Sequence, residues 1–125
     1  MKYVLLLIFV FIGNICLSQN VRIPDENFEK ALIDLGIDSD EEVNGLVLKS
    51  DVQSVISLDV SNQGIRDLTG IEEFSSLIYL NCRGNDLKRL DLRHNISVMK
   101  VSSSTNDIMK HTSYNNAIVM YDKFY

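Results

Sequence analysis

Three stretches of this chain repeat one pattern of apolar residues at nearly constant intervals, and that periodicity narrows the accessible folds more than any other feature. Val55-x-x-Leu58-x-Val60-x-x-Gln63-x-Ile65 is followed by Leu77-x-x-Leu80-x-Cys82-x-x-Asn85-x-Leu87 and then by Val98-x-x-Val101-x-Ser103-x-x-Asn106-x-Ile108, at offsets of 22 and 21 residues. A further partial copy, Leu87-x-x-Leu90-x-Leu92-x-x-Asn95, lies halfway between the last two. In such a unit the central L-x-L segment is a short strand. One turn of chain cannot bury its apolar side alone, so successive turns must stack with their strands paired in parallel. Where the chain leaves each strand its backbone is buried, and Asn bonds backbone groups there as Asx turns do. The pattern therefore predicts a ladder of Asn85, Asn95 and Asn106, with Gln63 in the same slot of the first unit. Cys82 shares a position with Val60 and reads as a small buried apolar group. Ser103 puts a small polar group into the same column.

Upstream of the repeats, IPDENFEKALIDLG places Phe28, Ala31, Leu32 and Leu35 at helical spacing, with Asp25, Glu26 and Glu29 in the first turn where the helix dipole favours acids. Gly36 follows as a stop. The spacing predicts a helix over about Asp25 to Leu35, with an acidic loop (IDSDEEVNG) after it. Ser50-Asp51 is placed to cap a short helical turn, and Val55 to Val60 alternates as a half-buried strand does.

The whole chain has 125 residues, enough for one small domain. Its 46% hydrophobic and 23% charged residues with a single Pro exclude a disordered or collagen-like chain. Twelve bases against 17 acids give a net charge of −5, which argues against nonspecific binding to nucleic acid. Lys2, the apolar run Val4 to Ile12, and Cys16 and Ser18 form a secretory signal pattern, with cleavage expected between Ser18 and Gln19. The competing reading of an uncleaved membrane anchor meets Gly13 and Asn14, which interrupt the run well short of the roughly 20 apolar residues a spanning helix needs. Lipid attachment at Cys16 is disfavoured because bulky Ile15 precedes it. Removing residues 1–18 leaves 11 bases against 17 acids, a net charge of −6, and Cys82 as the only Cys, so no internal disulfide is expected.

The run LDVSNQGIRDLTGIEEFSSLIYLNCRGNDLKRLDLRHN resembles leucine-rich repeat proteins, specifically the secreted bacterial kind common in flavobacteria, with an internalin-like first turn. The preceding helix and acidic loop resemble the N-terminal cap of those proteins. The resemblance covers residues 1–108. It implies an α/β repeat: a short leucine-rich repeat solenoid with parallel strands and an N-terminal helical cap, exported and non-catalytic, binding another macromolecule on its concave strand face. Its parts are a signal peptide (1–18), the cap (19–54), the repeats (55–108) and a divergent C-terminal tail (109–125). In that tail His111 stands where a Leu is expected. Either Ala117 to Tyr121 folds back as a C-terminal cover, or the chain is a truncated remnant of a larger adhesin without binding activity of its own; the fading pattern favours truncation or degeneration.

Alternation along each strand puts Ser57, Asp59 and Ser61 in one outward row, Tyr79, Asn81 and Arg83 in the next, and Lys100, Ser102 and Ser104 in the third. From these the candidate binding residues are Asp59, Tyr79, Asn81, Arg83, Lys100 and Ser102, with Tyr79 and Arg83 as anchors because aromatic and Arg side chains dominate binding hot spots. The competing reading is that all six are simply solvated strand positions. Residues 25–51 hold nine acids and two bases, whereas 83–111 hold six bases and three acids. An acidic protein or glycan would thus be drawn towards Arg83, Lys88, Arg89, Arg93 and Lys100, unless the run is only a solvated face.

Other motifs give little. Asp38, Asp40 and Glu42 open like an EF-hand loop, but that loop needs Gly and Glu where Val43 and Lys49 stand. Asn95-Ile96-Ser97 matches a glycosylation sequon yet already fills a ladder slot. His94 and His111 lack partners at ligand spacing, so no metal and no cofactor is expected. Neither Cys82 nor Ser102-Ser103-Ser104 sits in a nucleophile elbow, so no enzyme is expected. The expected partner is an extracellular protein or glycan at the outer cell surface, with no nucleic acid, no membrane span after signal removal, and self-association through the exposed last strand.

Overall fold

The computed structural model describes residues 19–106 and 118–120. The signal-peptide reading, and the tail reading apart from 118–120, lie outside these residues. Strand β1 (Asn20–Arg22) pairs antiparallel with β2 (Leu46–Leu48), and helix α1 (Glu26–Asp34) lies between them in sequence. Asp25 is the N-cap: its Oδ1 accepts from the backbone N–H of Asn27 at 2.9 Å and of Phe28 at 3.1 Å. Its Oδ2 accepts from the N–H groups of Arg66 at 2.8 Å and Asp67 at 3.0 Å, so one carboxylate joins the helix to the first repeat. Phe28 stacks on Phe74 with ring centroids 6.3 Å apart, which seats the helix on the core.

Two parts of the helix expectation are corrected. Leu35 is the C-cap residue, turned off the buried face by the chain reversal at Gly36 (φ 69°), and is 48% exposed. Its place inside is taken by Glu29, 1% exposed, because the backbone of 44–46 runs over that face and presents N–H groups that need an acceptor. Helix α2 (Lys49–Val52) follows β2. Ser50 and Asp51 lie inside this turn rather than capping it, since Asp51 Oδ2 accepts from Ser39 N–H at 3.0 Å.

Strands β3 (Ser57–Asp59), β4 (Tyr79–Asn81), β5 (Lys100–Ser102) and β6 (Ile118–Met120) form one parallel sheet in that order. Leu58, Leu80, Val101 and Val119 are register partners. Leu58, Leu80 and Val101 are buried, and so are Val60, Cys82 and Ser103 in the column beside them. The architecture is an α/β repeat with parallel strands. β6 falls in the segment read as lacking a repeat, and it extends the sheet after a spacing of 18 residues between Val101 and Val119.

The asparagine ladder is real for two of its three expected members. Asn85 Nδ2 donates to the carbonyls of Val60 (2.8 Å) and Cys82 (2.9 Å), while its Oδ1 accepts from the N–H groups of Gln63 (3.0 Å) and Ile65 (3.1 Å). Asn106 repeats this one turn on, donating to Cys82 O (2.8 Å) and Ser103 O (3.0 Å) and accepting from Leu87 N–H (3.1 Å). Asn95 does not belong to it. Its Nδ2 donates to Ile71 O at 2.7 Å, beside the 3-10 turn Ile71–Glu73, because the partial copy forms the return segment between β4 and β5 and not a strand turn. The side chain of Gln63 is also outside the slot: it donates to Ser61 O at 3.2 Å, and only its backbone meets the ladder.

Candidate functional site

The repeat register brings five of the six candidate residues, Asp59, Tyr79, Asn81, Lys100 and Ser102, onto one sheet face, and Arg83 follows just beyond the end of β4. Ser57, Tyr79 and Lys100 are successive partners across β3, β4 and β5, as are Asp59, Asn81 and Ser102. Alternation aims Leu58, Leu80 and Val101 inward, so their neighbours point out. Tyr79 is 48% exposed, Asp59 and Lys100 are exposed, and Asn81, Arg83 and Ser102 are half-buried. Ser104, read as the end of the third outward row, is instead buried because the chain has already turned off β5.

Hydrogen bonds fix part of this face before any ligand arrives. Asp59 Oδ1 accepts from both the hydroxyl (2.7 Å) and the N–H (3.0 Å) of Ser61, and Oδ2 accepts from Asn81 Nδ2 at 3.0 Å. The Ser61 hydroxyl foremost, with the Ser61 N–H and the Asn81 amide, holds the Asp59 carboxyl below its ordinary range. Asn81 Oδ1 in turn accepts from Arg83 N–H at 3.3 Å. The face thus carries the Asp59 carboxylate held by its neighbours, with the accessible Tyr79 phenol on β4 and the Lys100 ammonium group on β5 in the adjacent row.

Of the features weighed for catalysis, Cys82, Ser103 and Ser104 are buried, Ser102 is half-buried and His94 is exposed. Cys82 is fully buried, and burial pushes its thiol up to about 12, so it holds its proton at neutral pH. Among the described residues the buried hydroxyls of Ser103 and Ser104 have no hydrogen-bond partner. His111 lies outside the described residues.

In the acidic loop, Asp40 accepts from Glu42 N–H (2.8 Å) and Asn44 Nδ2 (2.9 Å), and these bonds lower its pKa. Among the described residues no group of three or more His, Cys, Asp or Glu side chains is arranged to hold a metal ion. Asp38 is different from its neighbours: it is 2% exposed and lies against Asp40, and burial first and the Asp40 charge second push it up from 3.8 to about 6. A carboxyl whose pKa rises on folding favours the folded state only while protonated. That contribution is complete below about pH 4 and is lost as pH climbs past about 6. Asp38→Asn is therefore expected to raise the melting temperature at pH 7 and to leave it nearly unchanged at pH 4, as followed by circular dichroism. An equal shift at both pH values would remove ionisation as the cause.

The alternation of the strands gave no hint of Asp25 and Glu29, which join the N-terminal elements to each other and to the repeats. Their signal lies in long-range backbone donors, which no local pattern displays.

No family model matches the chain. Over 78 residues, 62% of its length, it is 31% identical to Internalin J of Listeria monocytogenes serotype 4b (strain F2365) and spans 8% of that protein. Among solved structures, the functional domain of InlJ from Listeria monocytogenes, described as including a cysteine ladder, matches with a TM-score of 0.64 at 23% identity. The match covers 82% of this chain and 24% of that one. The internalin inlF of the same species matches at 0.53 and 17% identity, over 69% of this chain and 32% of its own. The CBM51-2 and INT domains of ZmpB from Clostridium perfringens match at 0.50 and 25% identity, over 71% and 19%. The chain is thus similar to bacterial internalins over part of its length and shares their fold there. Among the described residues no helix is long and apolar enough to cross a membrane.

Proposed function

We propose that this chain is an exported, non-catalytic recognition module: a short leucine-rich repeat solenoid, closed at its N-terminus by a helical cap, that binds an extracellular protein or glycan at the outer cell surface. The observation carrying this reading is the register that aligns Ser57, Tyr79 and Lys100, and Asp59, Asn81 and Ser102, on one face, with the Asp59 and Asn81 side chains already hydrogen-bonded to each other. A surface ordered in advance loses little conformational freedom on binding, which favours affinity per unit of contact. Tyr79 offers the flat amphipathic body and Arg83 the forked donor typical of binding anchors.

The test is to immobilise the full chain, select ligands from arrays of extracellular proteins and of glycans, and repeat the measurement with Tyr79→Ala/Arg83→Ala. Loss of at least about tenfold in affinity, roughly 1.4 kcal/mol, with an unchanged melting temperature supports the strand face. Unchanged affinity removes that face from the reading. A chain that melts without cooperativity supports the second reading, a remnant of a larger adhesin.

A further inference from the structure

The return segments between the strands flank an open-sided cavity that the strand-face reading does not use. Residues from 67–72 and from 89–94, one coil apart, line a space of about 520 Å³. Its floor is apolar, since Leu68, Ile71 and Leu90 are buried there. Its rim is charged, and most of that charge is already engaged. Asp67 Oδ1 accepts from the N–H (2.8 Å) and hydroxyl (2.6 Å) of Thr69, and Glu72 Oε2 accepts from Gly70 N–H at 2.8 Å. Asp91 binds the Arg93 guanidinium through both oxygens, at 2.6 to 3.1 Å. Arg89 is exposed at the same rim and has no hydrogen bond or ion pair among the described residues. The second oxygens of Asp67 and Glu72 likewise remain open as acceptors among the described residues.

An unengaged guanidinium, two open carboxylate oxygens and an apolar floor define the ligand that would satisfy all of them. It carries one carboxylate for Arg89, hydroxyl donors for Asp67 and Glu72, and a C–H face for Leu90. We propose that this cavity binds a uronic-acid residue of a glycan. A neutral sugar leaves the guanidinium without its anion. An acidic peptide side chain satisfies Arg89 but brings no hydroxyl donors, so the open oxygens of Asp67 and Glu72 stay without partners. The site is separate from the strand face, so the two readings succeed or fail independently.

The experiment is an NMR titration of the full chain, at fixed ionic strength, with a tetrasaccharide of alternating glucuronate and N-acetylglucosamine. Chitotetraose serves as the neutral counterpart and a tetraglutamate peptide as the acidic one. Saturable shifts of the amides in 67–72 and 89–94 are expected, with at least tenfold weaker response to either control. Arg89→Ala, an exposed substitution, should weaken the acidic sugar at least tenfold while preserving the dispersed spectrum, and Arg89→Lys should restore part of the loss. Four outcomes would overturn the proposal: no saturable shifts, shifts confined to 57–59 and 79–81, equal binding of chitotetraose or of the peptide, or an Arg89→Ala protein that binds as before.

Discussion

Asn85→Ala is expected to lower the unfolding free energy by about 4 kcal/mol, read as a fall in the urea midpoint at 25 °C with an unchanged slope. The Asn85 side chain is 3% exposed and makes its bonds to backbone groups of two adjacent coils. Cutting it back leaves the Ile65 N–H and the Val60 carbonyl without partners in the buried interior, and the Gln63 N–H without its partner in a partly buried one. Each stranded group costs about 1–3 kcal/mol. Cys82 O is spared, because it also accepts from Asn106. A loss of this size removes much of the 5–15 kcal/mol typical of a folded domain. A drop below about 1 kcal/mol would mean that water replaces the amide and that the ladder is not what locks the coils together.

Glu29→Ala is expected to cost about 3 kcal/mol, and Glu29→Gln about half of that. Glu29 Oε1 accepts from the N–H groups of Asn44 and Gly45 at 2.9 Å and of Leu46 at 3.3 Å, and Oε2 accepts from Gly45 at 2.9 Å. The alanine variant strands the N–H groups of Asn44 and Gly45, while Leu46 N–H keeps Asn44 Oδ1 at 2.9 Å, and it leaves a void beneath the loop. The glutamine variant keeps the volume and one acceptor oxygen but turns an amide towards N–H groups that cannot accept. Thermal melts of the two variants against the parent give the comparison. Equal losses would show that volume, and not acceptance of hydrogen bonds, is what Glu29 supplies.

What the sequence displayed and what it concealed divide along a physical line. Burial of Leu58, Leu80 and Val101 in one column follows from a repeat that cannot bury its apolar side alone, so period and strand positions were readable. The outward rows followed from the same alternation, which is why Tyr79 and Lys100 came out as neighbours. Asn95 misled because its local pattern copies that of Asn85, although half a coil of displacement gives it different carbonyls. Glu29 misled because a first-turn acid ordinarily faces water, and only the later path of residues 44–46 reverses that. The β6 triplet lacked any polar alternation or following Asn to mark it. The cavity beside Arg89 was concealed for another reason: it is formed by two return segments one coil apart, and neither contains it.

The double engagement of Asp25 has a consequence for how the chain comes apart. One carboxylate oxygen holds the first amides of α1 and the other holds the amides of Arg66 and Asp67, while Asn27 Nδ2 donates to Gly64 O at 3.0 Å. Neither partner can fray without exposing the other's donors, so the helix and the first coil open as a single unit with one opening free energy. A nine-residue helix too short to persist by itself thus acquires the lifetime of the stacked sheet. In the reverse direction, completing this joint requires closing about 40 residues of chain, an entropic cost that local helix formation alone does not carry.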